Sequence, residues 1–387
     1  MGLERQLPRY FTILLSFDFL SSVFSFAAPL LAPLLILAGI SPVNAGWIQF
    51  MAYLCTGVFQ PLIGHLLDSG RFRLVLIASG VAITAGILLM MFQSHSLFWL
   101  VFGIIQLLLG LNTLSTLFMR TAVGEVSDEV RPFAMGRMYL VHNLGFSFAA
   151  VLAYFFLKEY RNVLLVADLV TTLGVLCALW FIMGHIMKTL RASLKGTKTG
   201  SIPWPLILRN WRVMVGITLI WIAIFIHTAV LPLIYAKDGF DPIQLTTLVL
   251  ITNTLIVVLT ASKVSEWVTR YSERSMYAFA AALYCLFQGT TPFFVSREGV
   301  VATAALWTLG EVFSAVLISQ IMYRTFPREN SGLASGVMVT LRSLGLFLAP
   351  FLAVVVVPKT HLVQAVVIGL VPLLSFIVIY PKLKSTP

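Results

Sequence analysis

Long apolar runs separated by short polar gaps set the pattern of this chain. The runs fall at 11–37, 44–66, 74–93, 97–119, 136–157, 162–187, 213–236, 243–264, 276–295, 299–322, 333–356 and 361–380. A helix needs about twenty apolar residues to cross the hydrocarbon core of a bilayer. Open sheet edges cannot survive in lipid, so runs of this length must be helices. The alternation of a membrane β-barrel is absent. The pattern therefore predicts an all-α membrane protein of twelve transmembrane helices. The run 11–37 is longer than a signal-peptide core and lacks a cleavage site, so it reads as the first spanning helix.

The longest polar stretch is 188–211, with Lys195-Gly-Thr-Lys-Thr-Gly-Ser201 at its centre. It predicts a linker between an N-terminal six-helix bundle, 1–187, and a C-terminal one, 212–387. Trp204 and Trp211 flank basic residues there, which suits a segment lying on the lipid surface. The halves also repeat. At an offset of 200 residues Gly39 meets Gly239, Pro42 meets Pro242, and Leu109-Gly110 meets Leu309-Gly310. Glu129, Ala134, Gly136, Leu144-Gly145 and Ala149 meet Glu329, Ala334, Gly336, Leu344-Gly345 and Ala349. A single offset held over more than a hundred residues marks an internal duplication, and hence two pseudo-symmetric six-helix bundles.

Composition agrees. Hydrophobic residues make up 59% of the chain and charged ones 11%, against about a quarter charged in soluble domains. The net charge of +11 is carried in the gaps between runs, as in cytoplasmic loops, and not on a soluble face that would hold nucleic acid. With the N-terminus inside, twenty basic residues fall on the cytoplasmic side: Arg5, Arg9, Arg71, Arg73, Arg120, Arg131, Arg137, Lys188, Arg191, Lys195, Lys198, Arg209, Arg212, Lys263, Arg270, Arg274, Arg324, Arg328, Lys382 and Lys384. Five fall opposite: Lys158, Arg161, Lys237, Arg297 and Lys359. This bias predicts that both termini are cytoplasmic. Cys55, Cys177 and Cys285 each sit alone in an apolar run, so neither a disulfide framework nor a metal site is expected. The six histidines are scattered without HxxxH or HExxH spacing, which argues against a membrane enzyme, and no cofactor is expected. No GxxxxGK[ST] sequence is present to supply ATP drive.

The gap after the second run reads Gly64-His-Leu-Leu-Asp68-Ser-Gly-Arg71-Phe-Arg73. Gly64, Asp68 and the two arginines keep the spacing of a loop signature of the major facilitator superfamily, with Ser69 where the first Arg is usual. Ser262, Glu266 and Arg270 form a weaker second-half echo. The segments 127–136 and 327–336 also look like that family, as do the twelve runs and central linker. Gly136 and Gly145 have the spacing of a glycine motif common in its antiporters, followed here by Ala149-Ala150. The chain therefore resembles a superfamily transporter over nearly its whole length. The resemblance implies alternating access to a cavity lined by helices one, four, seven and ten. It implies a gating latch at Gly64, Asp68, Arg71, Arg73, Glu266 and Arg270, in which Asp68 pairs with Arg71 or Arg73 or sits at a neighbouring helix N-terminus.

Ionisable groups in the bilayer interior cost on the order of 3 kcal/mol or more and persist when paired or useful. Asp18, Asp168, Glu311, Arg342, His142 and His227 fall inside predicted helices. Asp18 and Glu311 are candidates for binding a proton or a cationic solute, and Glu311 for an ion pair with Arg342. His142 matches Arg342 at the 200-residue offset and reads as a hydrogen-bonded structural residue, while it, His227 and Arg342 also stand with Asp18 and Glu311 as candidates for proton or substrate coupling. His227 faces either the cavity or a neighbour, and Asp168 reads as structural. The 29 phenylalanines, with Trp221 and Trp307, would give a cavity aromatic walls. The leading reading is a secondary transporter that exports an amphipathic or cationic compound with proton coupling. The runner-up is proton-coupled uptake of an organic anion or metabolite, and the alternative of another class is a non-transporting receptor or scaffold. The expected setting is a bacterial inner membrane. The expected partners are a small solute, protons or another coupling ion, and lipid, with the chain a monomer.

Overall fold

A computed structural model describes residues 7, 9–25, 30–92, 96–123, 126–127, 129–194, 204–326 and 330–385. Among them all regular structure is helical. The spans are α1 (Arg9–Phe24), α2 (Asn44–Asp68), α3 (Phe72–Met91), α4 (Leu97–Ala122), α5 (Arg131–Phe156), α6 (Asn162–Ile182), α7 (Trp211–Lys237), α8 (Pro242–Arg270), α9 (Glu273–Leu283), α10 (Arg297–Thr325), α11 (Ser331–Val356) and α12 (His361–Lys382). They form the twelve transmembrane helices of two six-helix halves.

Four spans depart from the uninterrupted helices expected of them. The run 44–66 gives Pro42–Gly57 and Gln60–Asp68, and the run 213–236 gives Trp211–Ala229 and Leu231–Lys237. The run 11–37 yields α1 and a separate short helix, Leu31–Leu37; its middle, 26–29, lies outside the described residues. The run 276–295 leaves α9 through a π-helical turn, Tyr284–Gln288, and ends in a 3-10 turn, Thr291–Phe293, that holds Pro292. A π-turn inserts one residue and rotates the helix beyond it. Gly289 then lies against α12, where an added Cβ would meet Ala365 O and Gly369 Cα at 3.2 Å.

Elsewhere helix continues where a loop is expected. From α5 to α6 the chain stays helical over Arg131–Leu194, broken only by the backbone of Tyr160 (φ −122°, ψ 31°). The linker core, 195–203, lies outside the described residues. After it a short helix, Trp204–Arg209, leaves Trp204 and Leu208 exposed, with Trp211 exposed beside it.

The duplication is visible in the entries to α2 and α8. Gly39 and Gly239 both turn the chain with positive φ, +79° and +84°. Ser41 and Asp241 then cap the helices they precede, and Pro42 and Pro242 occupy the first helical position, where no N–H is needed. The halves meet along two seams, α2 against α11 and α5 against α8. Between apolar helices in lipid, small residues drive association by letting backbones approach. A Cβ on Gly64 would strike Gly332 O, and one on Gly336 would strike Gln60 O.

Candidate functional site

A cavity of about 190 Å³ lies between the halves. Its wall takes residues from α1, α2, α4, α5, α7, α8, α10 and α11. The resemblance implies helices one, four, seven and ten, with coupling candidates also at His142 of helix five and Arg342 of helix eleven. Here α5 contributes Met135, Met138, Tyr139, His142, Asn143 and Phe146, and α11 contributes Met338, Val339, Arg342 and Leu346. These helices form the seams, so their inner faces border the gap. The surface is mainly apolar, with a few convergent polar groups, the pattern of a small-molecule site.

In the first half, Asp18 of α1 pairs with His142 of α5, Oδ1 to Nδ1 at 3.3 Å, and Ser22 Oγ stands 3.1 Å from the same nitrogen. Asp18 Oδ2 and His142 Nε2 are buried without hydrogen-bond partners. His142 is therefore hydrogen-bonded, as expected, and it also lines the cavity. In the second half, Glu311 of α10 accepts from Tyr139 of α5 on one oxygen and from Asn253 Nδ2 of α8 on the other, the latter at 2.6 Å.

Arg342 is not where an ion pair with Glu311 requires it. Among the described residues it has neither ion pair nor hydrogen bond, and its Nε is buried and unpartnered. Its guanidinium lies over the rings of Trp221 and Phe225, 5.9 and 5.7 Å from their centroids. Glu311 already has two donors on helices nearer to it, so Arg342 is left to the aromatic faces of α7. Asp18, Tyr53 and Tyr139 act on Arg342 electrostatically.

His227 lines the cavity and stacks on Trp307, with centroids 4.8 Å apart. Trp307 itself is fully buried behind it. Asp168 is buried in α6, accepting from Thr172 at 3.2 Å, and does not line the cavity.

The loop signature takes a definite shape. Asp68 accepts from the backbone N–H groups of Gly332 and Leu333, each at 2.7 Å, at the start of α11 in the other half. It also pairs with Arg120 Nε of α4 at 3.2 Å. Of the arrangements expected for it, the helix N-terminus is the one formed, and Arg71 and Arg73 are not its partners. Arg71 is exposed, and Arg73 lies over Trp180 of its own half at 5.0 Å. A helix N-terminus offers free N–H donors and a positive dipole end, a better setting for a buried carboxylate than a solvated arginine. Glu266 and Arg270 depart from the expected latch. They pair with each other at 3.8 Å on the exposed face of α8, because α8 runs on to Arg270 and carries them outward.

Residues beyond the sequence candidates complete these contacts. Arg120, Tyr139 and Asn253 supply the donors to Asp68 and Glu311. Glu273, buried, pairs with the half-buried Arg324 in the second half, and also accepts from Lys384 N at 2.9 Å. Tyr323 of α10 donates to Met119 O of α4 at 3.2 Å, and Arg131 of α5 lies over its ring at 4.8 Å.

A family profile described as Major Facilitator Superfamily matches residues 11–350. No curated protein sequence matches the chain. Among solved structures it is similar to the human organic anion transporter TETRAN, at 14% identity and a TM-score of 0.73 over 98% of this chain and 99% of that one. A bacterial homologue of the iron transporter ferroportin, in an outward-facing state, gives 16% and 0.67 over 97% and 99%. A proton:xylose symporter gives 12% and 0.69 over 96% and 95%.

Proposed function

The chain belongs to the major facilitator superfamily, and on that footing we propose that it is a secondary transporter that takes up an amphipathic organic anion together with protons. Membership makes it a membrane transporter and not an enzyme. Arg342 carries the choice of substrate. It is a half-buried cation in the cavity wall, with its Nε buried, no carboxylate partner among the described residues, and aromatic rings beneath it. A guanidinium so placed can offer its fork of N–H donors to a carboxylate or sulfonate. Trp221, Phe225 and the apolar wall suit the body of such a solute. The similarity to an organic anion transporter agrees with this reading.

Proton coupling is argued from the charge carried. An inside-negative membrane opposes anion entry by about 2.3 kcal/mol per charge per 100 mV. Protons entering with the anion cancel that cost. Asp18, His142 and Glu311 border the same cavity and are the groups proposed to carry them. The two halves, 1–187 and 212–387, rock about the cavity, with Asp68 and Gly64 latching one end. We place both termini in the cytoplasm, the chain in a bacterial inner membrane, and its active form as a monomer.

A second reading, export of an amphipathic cation, is favoured by the unpartnered Oδ2 of Asp18. A thermal-shift panel separates the two. Aromatic carboxylates and sulfonates should stabilise the purified wild type, and Arg342→Gln should weaken that binding by roughly 10- to 100-fold, the loss of one charge-assisted hydrogen bond. Stabilisation by quaternary ammonium compounds alone, abolished by Asp18→Asn and indifferent to Arg342→Gln, would replace the anion reading with the cation one.

A further inference from the structure

Glu311 is the one cavity carboxylate whose two oxygens are held by different halves of the molecule. Tyr139 reaches Oε1 from α5 of the first half, and Asn253 reaches Oε2 from α8 of the second, while also approaching Thr308 Oγ1 at 3.3 Å. The Asn253 bond is internal to the second half and survives any rigid movement of the halves. The Tyr139 bond crosses between them. Crossing bonds at the Asp68 end run from Gly332 and Leu333 to Asp68 and from Tyr323 to Met119, and near the depth of Tyr139 from Thr340 to Gly57 O at 3.2 Å and from Asn112 to Ser343 at 3.4 Å. Opening that end requires α5 to part from α10, and therefore breaks the contact of Tyr139 with Glu311.

We propose that Tyr139 is a positioning residue that ties the protonation of Glu311 to the opening of the Asp68 end. This rests on the proton-coupled reading given above. With Glu311 ionised, the phenol donates a charge-assisted bond, about twice as strong as a neutral one, and the halves are held together. A proton arriving from cavity water adds to a carboxylate oxygen, the bond falls to a neutral one, and the halves are released. Once apart, the carboxyl keeps Asn253 alone as donor, and an ionised acid at this depth loses part of its stabilisation. The proton is then retained until Tyr139 returns. Tyr284, in the π-turn that leaves α9, is the further titratable group that acts electrostatically with Glu311. His142, Asp18 and Arg342 stand in the wall of the same cavity.

The test needs no substrate. In a background with Cys55, Cys177 and Cys285 changed to serine, spin labels at the exposed Ser69 and Thr269 report the separation of the halves at the Asp68 end, in nanodiscs, as pH is varied. The wild-type distance should lengthen on acidification. Tyr139→Phe keeps the ring and removes the donor that distinguishes the two states, so its distance should be longer than wild type at neutral pH and its dependence on pH should flatten towards that of Glu311→Gln. Glu311→Gln should be long at all pH values. A Tyr139→Phe curve that overlays the wild type, in a protein that still opens with acid, overturns this inference and leaves proton coupling standing. A wild-type distance that ignores pH defeats the proton-coupled reading and this inference with it. Melting temperatures of the variants within a few degrees of wild type show that the shift is not unfolding.

Discussion

The residues that matter in this molecule are ordinary ones set apart by their partners. Asp68 is buried, and its charge is met by two backbone N–H groups and Arg120. Removing one partner of a buried pair costs about 3–5 kcal/mol, because the other charge is left uncompensated. Arg120→Ala should therefore lower the melting temperature sharply. Asp68→Asn combined with Arg120→Ala should cost less than the two single changes summed, by about 0.5–3 kcal/mol. Thermal unfolding of the four proteins in detergent checks this, and strict additivity would show that the pair is not an energetic unit. Sequence depth alone singled out Asp18, Asp168, Glu311, Arg342, His142 and His227, and all but Asp168 line the cavity. It could not find Tyr139, Asn253 or Arg120. A tyrosine, an asparagine near the middle of a helix, and an arginine at a helix end carry no unusual cost in sequence, and their importance comes only from what stands opposite.

At the scale of elements, helix packing is decided where glycines meet. Gly64 of α2 faces Gly332 and Gly336 of α11, and no side chain fits between them. Gly64→Ala should push the two helices apart at the Asp68 end, lengthening the Ser69 to Thr269 label distance at neutral pH and abolishing transport. Gly174→Ala on α6, where nothing lies within 4 Å of the added Cβ, should change neither. Long runs were legible as helices because length and hydropathy suffice for that. Their ends were not. The α6 helix continues to Leu194 because no proline intervenes and the next glycine beyond it is Gly196. The π-turn after α9 leaves no periodicity signal, since the run stays apolar whichever way its residues turn. Lys158 to Arg161 read as a loop by charge, yet charge alone does not stop a helix, and only Tyr160 breaks it.

For the whole molecule, the duplication sets which groups confront each other across the cavity. His142 and Arg342 occupy equivalent places on α5 and α11. The first is met by Asp18 and the second by the aromatic faces of α7, so a copy of one fold has become electrically unequal. The bilayer then decides which end is which. The Asp68 end, where bonds cross between the halves, lies beside Arg71, Arg73, Arg120 and Arg131, and the loop-charge rule assigns that end to the cytoplasm. On this assignment the crossing bonds of Asp68, Tyr139 and Tyr323 close the cytoplasmic gate. A proton entering from outside would reach Glu311 before that gate opens, the order that uptake requires. Single cysteines decide the orientation in intact cells, in the background lacking the three native ones. Thr360→Cys, exposed before α12, should react with a membrane-impermeant maleimide, and Ser69→Cys should react only after the cells are opened. The reverse labelling would turn the Asp68 end outward, and the same bonds would then guard an external gate, so that proton entry from outside would come after opening instead of before it.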